Sequence, residues 1–141
     1  MKLAITFLVV LMSFSNAYAT NPISSAEDKS GIKSISAEEL VKMQKEIKGF
    51  VLIDARGGKY FDGTVIKGAV NLPVTDVTEA SLSKAIATKD TPVAFYCTNT
   101  ACPASSLAAY KAKDQGYSKL YKYEGGIEEW ISKKLPTAMI K

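Results

Sequence analysis

Residues 91–116 read TPVAFYCTNTACPASSLAAYKAKDQG. Pro92 opens the run Val93–Cys97, a short continuous apolar stretch of the kind that forms a strand buried on both faces. The loop that follows, 97–102, is built of small residues and carries both cysteines of the chain, Cys97 and Cys102. From Pro103 an alanine-rich segment reads as a helix, with proline in its first turn and Gly116 as its stop. A buried strand passing through a short loop into a helix is one unit of an α/β fold.

The same alternation runs outward in both directions. Upstream, Ser36 and Glu39 have capping-box spacing, and Leu40, Met43 and Ile47 recur at helical intervals, so a helix is expected over 36–48, closed by Gly49. FVLID (50–54) reads as a buried strand, ARGGKYFDG as a turn-rich connection and AVNLP (69–73) as a strand stopped by Pro73. A modest helix is expected over 78–88. Downstream, KLYKYEGG reads as a strand ending in a double-glycine turn, and IEEWISKK as a short amphipathic helix with Ile127, Trp130 and Ile131 on one face. The expected architecture is a mainly parallel central sheet with helices on both faces. Trp130, Tyr96 and Tyr121 are expected in the core.

The N-terminus reads as something else. Lys2, the apolar run 3–14 and the small-residue site Ala17–Ala19 have the layout of a secretory signal peptide, expected over 1–19 and removed after Ala19. The apolar run is short for a bilayer span, so no stable membrane insertion is expected after cleavage. Residues 20–34 read as a flexible lead-in, and the remainder suits one domain. The formal charge is +4, with lysines scattered and no basic block, so no nucleic-acid footprint is expected. The protein is expected to be exported, periplasmic or secreted.

In open α/β sheets the working site lies beyond the carboxyl ends of the strands. Three segments fall there: Asp54–Arg56, Cys97–Cys102 and Glu124–Gly126. A thiol at a strand end, feeding a helix N-terminus, sits among backbone N–H groups that favour a negative sulfur. The chain has no histidine, and a thiolate stabilised in this way needs no imidazole base. The same amides suit a persulfide, R–S–S⁻. An exported chain with two cysteines usually pairs them. A bridge between Cys97 and Cys102 would close a loop of only a few residues, however, and so make a weak staple. Cys102 is read three ways: as a resolving thiol, as half of a resting disulfide, or as a packing residue placed near the helix N-cap. Arg56, the only arginine in the chain, either binds an anion or pairs structurally with Asp54, Glu124 or loop carbonyls. The five donors of a buried guanidinium favour the structural pairing.

Taken in order, three pieces of the chain resemble the single-domain rhodanese family. VLIDARGGKYFDGTVIKGAVNLP has its Asp-x-Arg and Gly-Ala-x-Asn-x-Pro, PVAFYC leads into a loop and a Ser-containing helix, and GYSKLYKYEGGIEEW ends in Gly-Gly-x-x-x-Trp. The similarity covers about residues 35–137, and a rhodanese-like domain is expected over 35–141. The resemblance implies a sulfurtransferase with Cys97 as the nucleophile that carries sulfane sulfur. It implies that Asp54, Arg56 and the loop residues Thr98, Asn99, Thr100 and Ala101 bind substrate or support the loop, and that Gly125, Gly126 and Trp130 are structural. This sequence departs from the pattern in four respects. Ser105 stands eight residues after Cys97 rather than about six, Cys102 is additional, and the loop has neither Arg nor Lys. Thr64 also stands near the position of the family's usual histidine.

The expected partners are a small sulfur donor (thiosulfate, polysulfide or a persulfide) and a thiol or cyanide acceptor, with a partner protein as one possible source of the thiol. No cofactor and no metal is expected. The alternatives are a silent rhodanese-like binding module, a thiol–disulfide redox protein using Cys97 and Cys102, and a phosphatase or arsenate-reductase-like enzyme. The last would normally use a loop arginine, which this loop lacks.

Overall fold

The computed structural model describes residues 28–141. The signal peptide expected over 1–19 and most of the expected lead-in lie outside those residues. Among the described residues, the elements in chain order are β1 (Lys33–Ile35), α1 (Ala37–Glu46), β2 (Val51–Asp54), β3 (Thr64–Ile66), β4 (Val70–Asn71), α2 (Glu79–Ala85), β5 (Val93–Tyr96), α3 (Ala104–Asp114), β6 (Leu120–Tyr123), α4 (Gly126–Ser132) and β7 (Thr137–Met139). Short 3-10 turns occupy Gly58–Tyr60 and Val74–Asp76. No helix among the described residues is long and apolar enough to cross a membrane.

Five strands form one sheet in the order β1-β6-β5-β2-β4, and every pairing in it is parallel. Successive side chains of a strand face opposite ways, and the two cores follow from that. Ile53, Val93 and Phe95 face one side, packed with Leu82 of α2 and with Ala108, Ala109 and Ala112 of α3. Leu52, Ala94 and Tyr96 face the other, packed with Leu40 and Met43 of α1 and with Ile127 and Trp130 of α4. The alanines of α3 let that helix lie close on the sheet. The expected α/β architecture, parallel sheet and two covered faces are therefore observed.

Local chemistry explains the boundaries. Ser36 caps α1 with the reciprocal capping box formed with Glu39. Thr78 and Ser81 do the same for α2. Four details differ from expectation. The sheet begins inside the supposed lead-in, because Lys33–Ile35 pair in register with Tyr121–Tyr123 and Ile32 is buried in the core. Lys33 and Ser34 separate Ile32 from Ile35, so the segment has no apolar run by which to announce itself. Pro103 is the N-cap of α3 rather than a first-turn residue, so Cys102 lies outside the helix. Ile131 is exposed at 52% while its neighbours Ile127 and Trp130 are buried, because α4 contacts the sheet along a narrow stripe. The strand expected over 69–73 contracts to Val70–Asn71. A separate antiparallel pair, β3 with β7, closes the far end.

Candidate active site

The chain leaves β2 toward β4 on one side and leaves β5 toward β6 on the other, so β2 and β5 flank the point where the strand order reverses. Loops diverge there and open a crevice. The registers Asp54↔Tyr96 and Tyr96↔Tyr123 bring the three strand ends level. A cleft of about 740 Å³ lies at this place, walled by residues after β2 (Ala55–Gly58 and Tyr60), after β4 (Pro73–Thr75) and after β5 (Cys97 to Ala104).

Asp54 and Arg56 form the floor of one wall. Asp54 is fully buried and Arg56 is 4% exposed. The Arg56 guanidinium grips the Asp54 carboxylate through Nε (3.0 and 3.1 Å) and Nη2 (2.7 Å). It also donates to the carbonyl oxygens of Tyr60 (3.4 Å) and Thr64, and Asp62 stands 3.9 Å from Nη1. Burial works against the Arg56 charge. The hydrogen bonds and attraction to Asp54 outweigh it and raise the pKa above its usual value. Tyr96 donates its hydroxyl to Asp54 at 2.9 Å and accepts the Ile66 N–H at 3.0 Å. Burial and the adjacent carboxylate push that phenol far up, so it stays protonated. Asn71 ties the turn down by donating to the carbonyls of Asp54 (3.2 Å) and Arg56 (2.8 Å). The arginine thus braces the loop after β2, and its charge is matched at the floor. Among the described residues no other Lys or Arg lines the cleft, and two lysines touch its wall residues: Lys111 donates to the Val74 carbonyl at 2.8 Å and Lys59 lies over the Tyr60 ring at 5.2 Å.

The cysteine loop is held from beneath. Ile127 and Glu128, at the start of α4, donate their N–H groups to the carbonyls of Cys97 and Thr98, both at 3.0 Å. Gly126 makes this approach possible. Its φ is +63°, and a Cβ there would meet the Thr98 oxygen at 2.5 Å and the Cys97 oxygen at 2.6 Å. Asn99 folds the loop on itself by accepting the Ala101 N–H at 3.1 Å and anchors it by donating to Glu128 at 2.9 Å. The Cys102 N–H closes the turn onto the Asn99 carbonyl at 3.1 Å. The N–H groups of Thr98, Asn99 and Thr100 have no acceptor among the described residues, and no side chain caps α3 there. Unpaired donors therefore gather around the loop, which is an environment that favours anionic sulfur.

Cys97 and Cys102 are joined in a disulfide, with Cα atoms 6.2 Å apart. Cys97 is 2% exposed, whereas Cys102 is half-buried on the cleft.

Of the residues singled out in the sequence, Cys97, Cys102, Arg56, Thr98, Asn99 and Ala101 meet at the cleft. Asp54 lies beneath it, and Thr100 points away, exposed. The sequence places Glu124–Gly126 at the same edge, but Pro73–Thr75 forms the third wall, and the residues just after the double glycine, Ile127 and Glu128, hold the cysteine loop from behind. Glu128 and Asn71 went unnoticed as loop anchors. The Asn of Gly-Ala-x-Asn-x-Pro was the available signal for Asn71.

The model of the rhodanese-like domain family matches residues 36–133. An uncharacterized protein of Bacillus subtilis, YqhL, is 33% identical over 82 residues, or 58% of this chain and 61% of that protein. The match thus spans about three fifths of the length of this curated relative. Among solved structures, the BH2092 protein of Bacillus halodurans superposes with a TM-score of 0.66 at 21% identity, over 75% of this chain and 76% of that one. The rhodanese-like domain of the Anabaena protein Alr3790 gives 0.64 at 20% identity, over 76% and 79%. A rhodanese from E. coli gives 0.52 at 22% identity, over 64% and 99%. At such identities the structural likeness concerns the fold.

Proposed function

This chain belongs to the rhodanese-like domain family, and from that premise we propose that it is a sulfurtransferase carrying sulfane sulfur as a persulfide on Cys97. The observation that carries the reading is the position of Cys97. It directly follows the central strand β5 in the lining of the cleft, in a loop whose Thr98, Asn99 and Thr100 N–H groups lack acceptors among the described residues. In the reduced protein the Cys97 thiolate attacks the sulfane sulfur of a donor, and the donor's remainder leaves with the bonding electron pair as sulfite, sulfinate or a thiolate. An acceptor thiolate or cyanide then attacks the outer sulfur and restores the Cys97 thiolate. Both leaving groups are stable anions, so the cycle runs without a histidine.

The one cation among the described lining residues, Arg56, is paired with Asp54, which supports a donor of low charge, such as a polysulfide, an organic persulfide or a thiosulfonate, over the thiosulfate dianion. The same commitment of the arginine weighs against phosphoryl or arsenate chemistry. The acceptor in this reading is a thiol on a small molecule or a protein. We place the reaction outside the cytoplasm, a reading supported by the N-terminal sequence. An exported protein beginning at Thr20 on N-terminal sequencing is the expected result, and a retained apolar run would reject it.

The test is single-turnover sulfur uptake by pre-reduced protein, followed by intact mass with polysulfide and with thiosulfate. Cys102→Ser should gain one sulfur, and Cys97→Ser none; wild type should react with the donor through the same cysteine. Uptake by Cys97→Ser but not by Cys102→Ser would move the nucleophile to Cys102. If neither wild type nor Cys102→Ser reacts with any donor, the chain is a rhodanese-like binding module instead.

A further inference from the structure

The disulfide between Cys97 and Cys102 is unnecessary for sulfur transfer and blocks the proposed nucleophile. We propose that it is the product of a second activity at this site, in which Cys102 discharges the Cys97 persulfide internally and releases hydrogen sulfide. The inference rests on the reading of Cys97 as the sulfur carrier and adds a reductase half-reaction to it.

A persulfide offers two sulfurs to attack. The outer one projects toward the cleft, and attack there by an acceptor is sulfur transfer. The inner one is the Sγ of Cys97, at a residue only 2% exposed while the bridge is closed, and the thiol next to it is Cys102. Cys102 reaches it from within the loop, and the bonded pair demonstrates the reach. The turn that presents Cys102 is already fixed by the Ala101 and Cys102 N–H groups on Asn99. Little reorganisation then separates the two thiols from the bonded state, and a held neighbouring group competes well against a dilute external one.

The step balances as follows. The Cys102 thiolate attacks Cys97 Sγ, a Cys102–Cys97 S–S bond forms, and the bond between Cys97 Sγ and the outer sulfur breaks. The outer sulfur leaves with that electron pair as hydrosulfide, its proton coming from the persulfide or from water. Sulfane sulfur is reduced to sulfide while the two cysteine thiols are oxidised to the disulfide. A thiol reductant, small molecule or protein, resets the pair. Its thiolate meets the more accessible Cys102 Sγ first and expels Cys97 as a thiolate into the loop of unpaired N–H groups. A second thiol equivalent then frees Cys102 and leaves with the first as a disulfide.

The probe is benzenethiosulfonate, a singly charged donor with an apolar ring. Its leaving group is a sulfinate, so any sulfide comes from the persulfide alone. Pre-reduced full-length protein, freed of reductant, is mixed with one equivalent of donor, and sulfide release and intact mass are followed. Wild type should release one equivalent of sulfide and end as the disulfide. Cys102→Ser should take up the sulfur and hold it, with a persulfide lifetime at least ~100-fold longer than in wild type. Cys102→Ala repeats the test without a hydroxyl, and circular dichroism confirms folding of both variants. Equal lifetimes in wild type and Cys102→Ser, or sulfide release by the variant at the wild-type rate, would overturn the inference and leave Cys97 as a carrier. If no form takes up sulfur, the carrier reading itself fails, and this inference with it.

Discussion

Arg56 shows how one side chain decides between two readings of a site. A sole arginine beside a cleft invites assignment to an anionic substrate. Its guanidinium instead spends its donors on Asp54 and on two backbone carbonyls. Removing one partner of a buried ion pair leaves the other uncompensated, which costs about 3–5 kcal/mol. Asp54→Asn should therefore lower the unfolding free energy by that order. Arg56→Lys keeps the charge but loses the planar fork, and a lysine ammonium does not span Asp54 and both carbonyls at once. A loss of about 2 kcal/mol is expected from the forfeited hydrogen bonds, read as a lower urea midpoint. The ratio of thiosulfate to polysulfide turnover should stay unchanged. An unchanged midpoint with a selective loss of thiosulfate turnover would instead mean that Arg56 contacts the donor. The sequence favours a structural pairing of Arg56 with Asp54, Glu124 or loop carbonyls, because five fixed donors demand partners; it does not single out Asp54, and it gives no sign of the third participant, the Tyr96 hydroxyl. Tyr96 reads simply as a core aromatic in an apolar strand, and nothing in its sequence neighbourhood marks where its polar end goes.

Among the elements, α4 positions the cysteine loop although it lies outside the cleft. Its first residues hold the carbonyls of Cys97 and Thr98, and Gly126 sits at φ +63° with no room for a Cβ. Gly126→Ala adds left-handed strain of about 1–2 kcal/mol and must also push Thr98 away. It should lower stability by at least that much and, in the molecules that remain folded, slow both sulfur uptake and disulfide closure. Asn99→Ala is the gentler probe. It removes the side chain that folds the loop and its tie to Glu128, so it should slow closure while leaving the unfolding free energy within about 1 kcal/mol of wild type. Equal closure rates in Asn99→Ala and wild type would show that the loop holds its shape without that turn.

Which elements the sequence made legible follows from how each one is stabilised. β2, β5 and α1 carry local signals, apolar runs and a capping box, that mark them in the sequence. β1 and the β3–β7 pair exist only through partners distant in the chain, and three residues hold too little pattern to reveal them. The double glycine suggested a turn. That it cradles the loop of another strand is a tertiary fact with no local trace.

Across the whole molecule, the disulfide bears little of the weight of the fold. It joins residues only five apart in sequence, and the chain-entropy effect of so short a loop amounts to about 2 kcal/mol. Its two ends are already fixed by other means. On one side, β5 runs through the middle of the sheet between β2 and β6. On the other, α3 is packed by Ala108, Ala109 and Ala112 into the core cluster with Ile53 and Phe95. Neither core cluster includes either cysteine. Reduction should thus lower the unfolding free energy by no more than about 2 kcal/mol and leave one cooperative transition, checked by urea unfolding with and without a thiol reductant. A much larger loss, or a second transition, would make the bridge a structural staple. A small loss is what a working redox pair requires. The scaffold must stand equally well with the bridge open and closed, so that the free energy of the S–S bond goes into sulfur chemistry and not into holding β5 to α3.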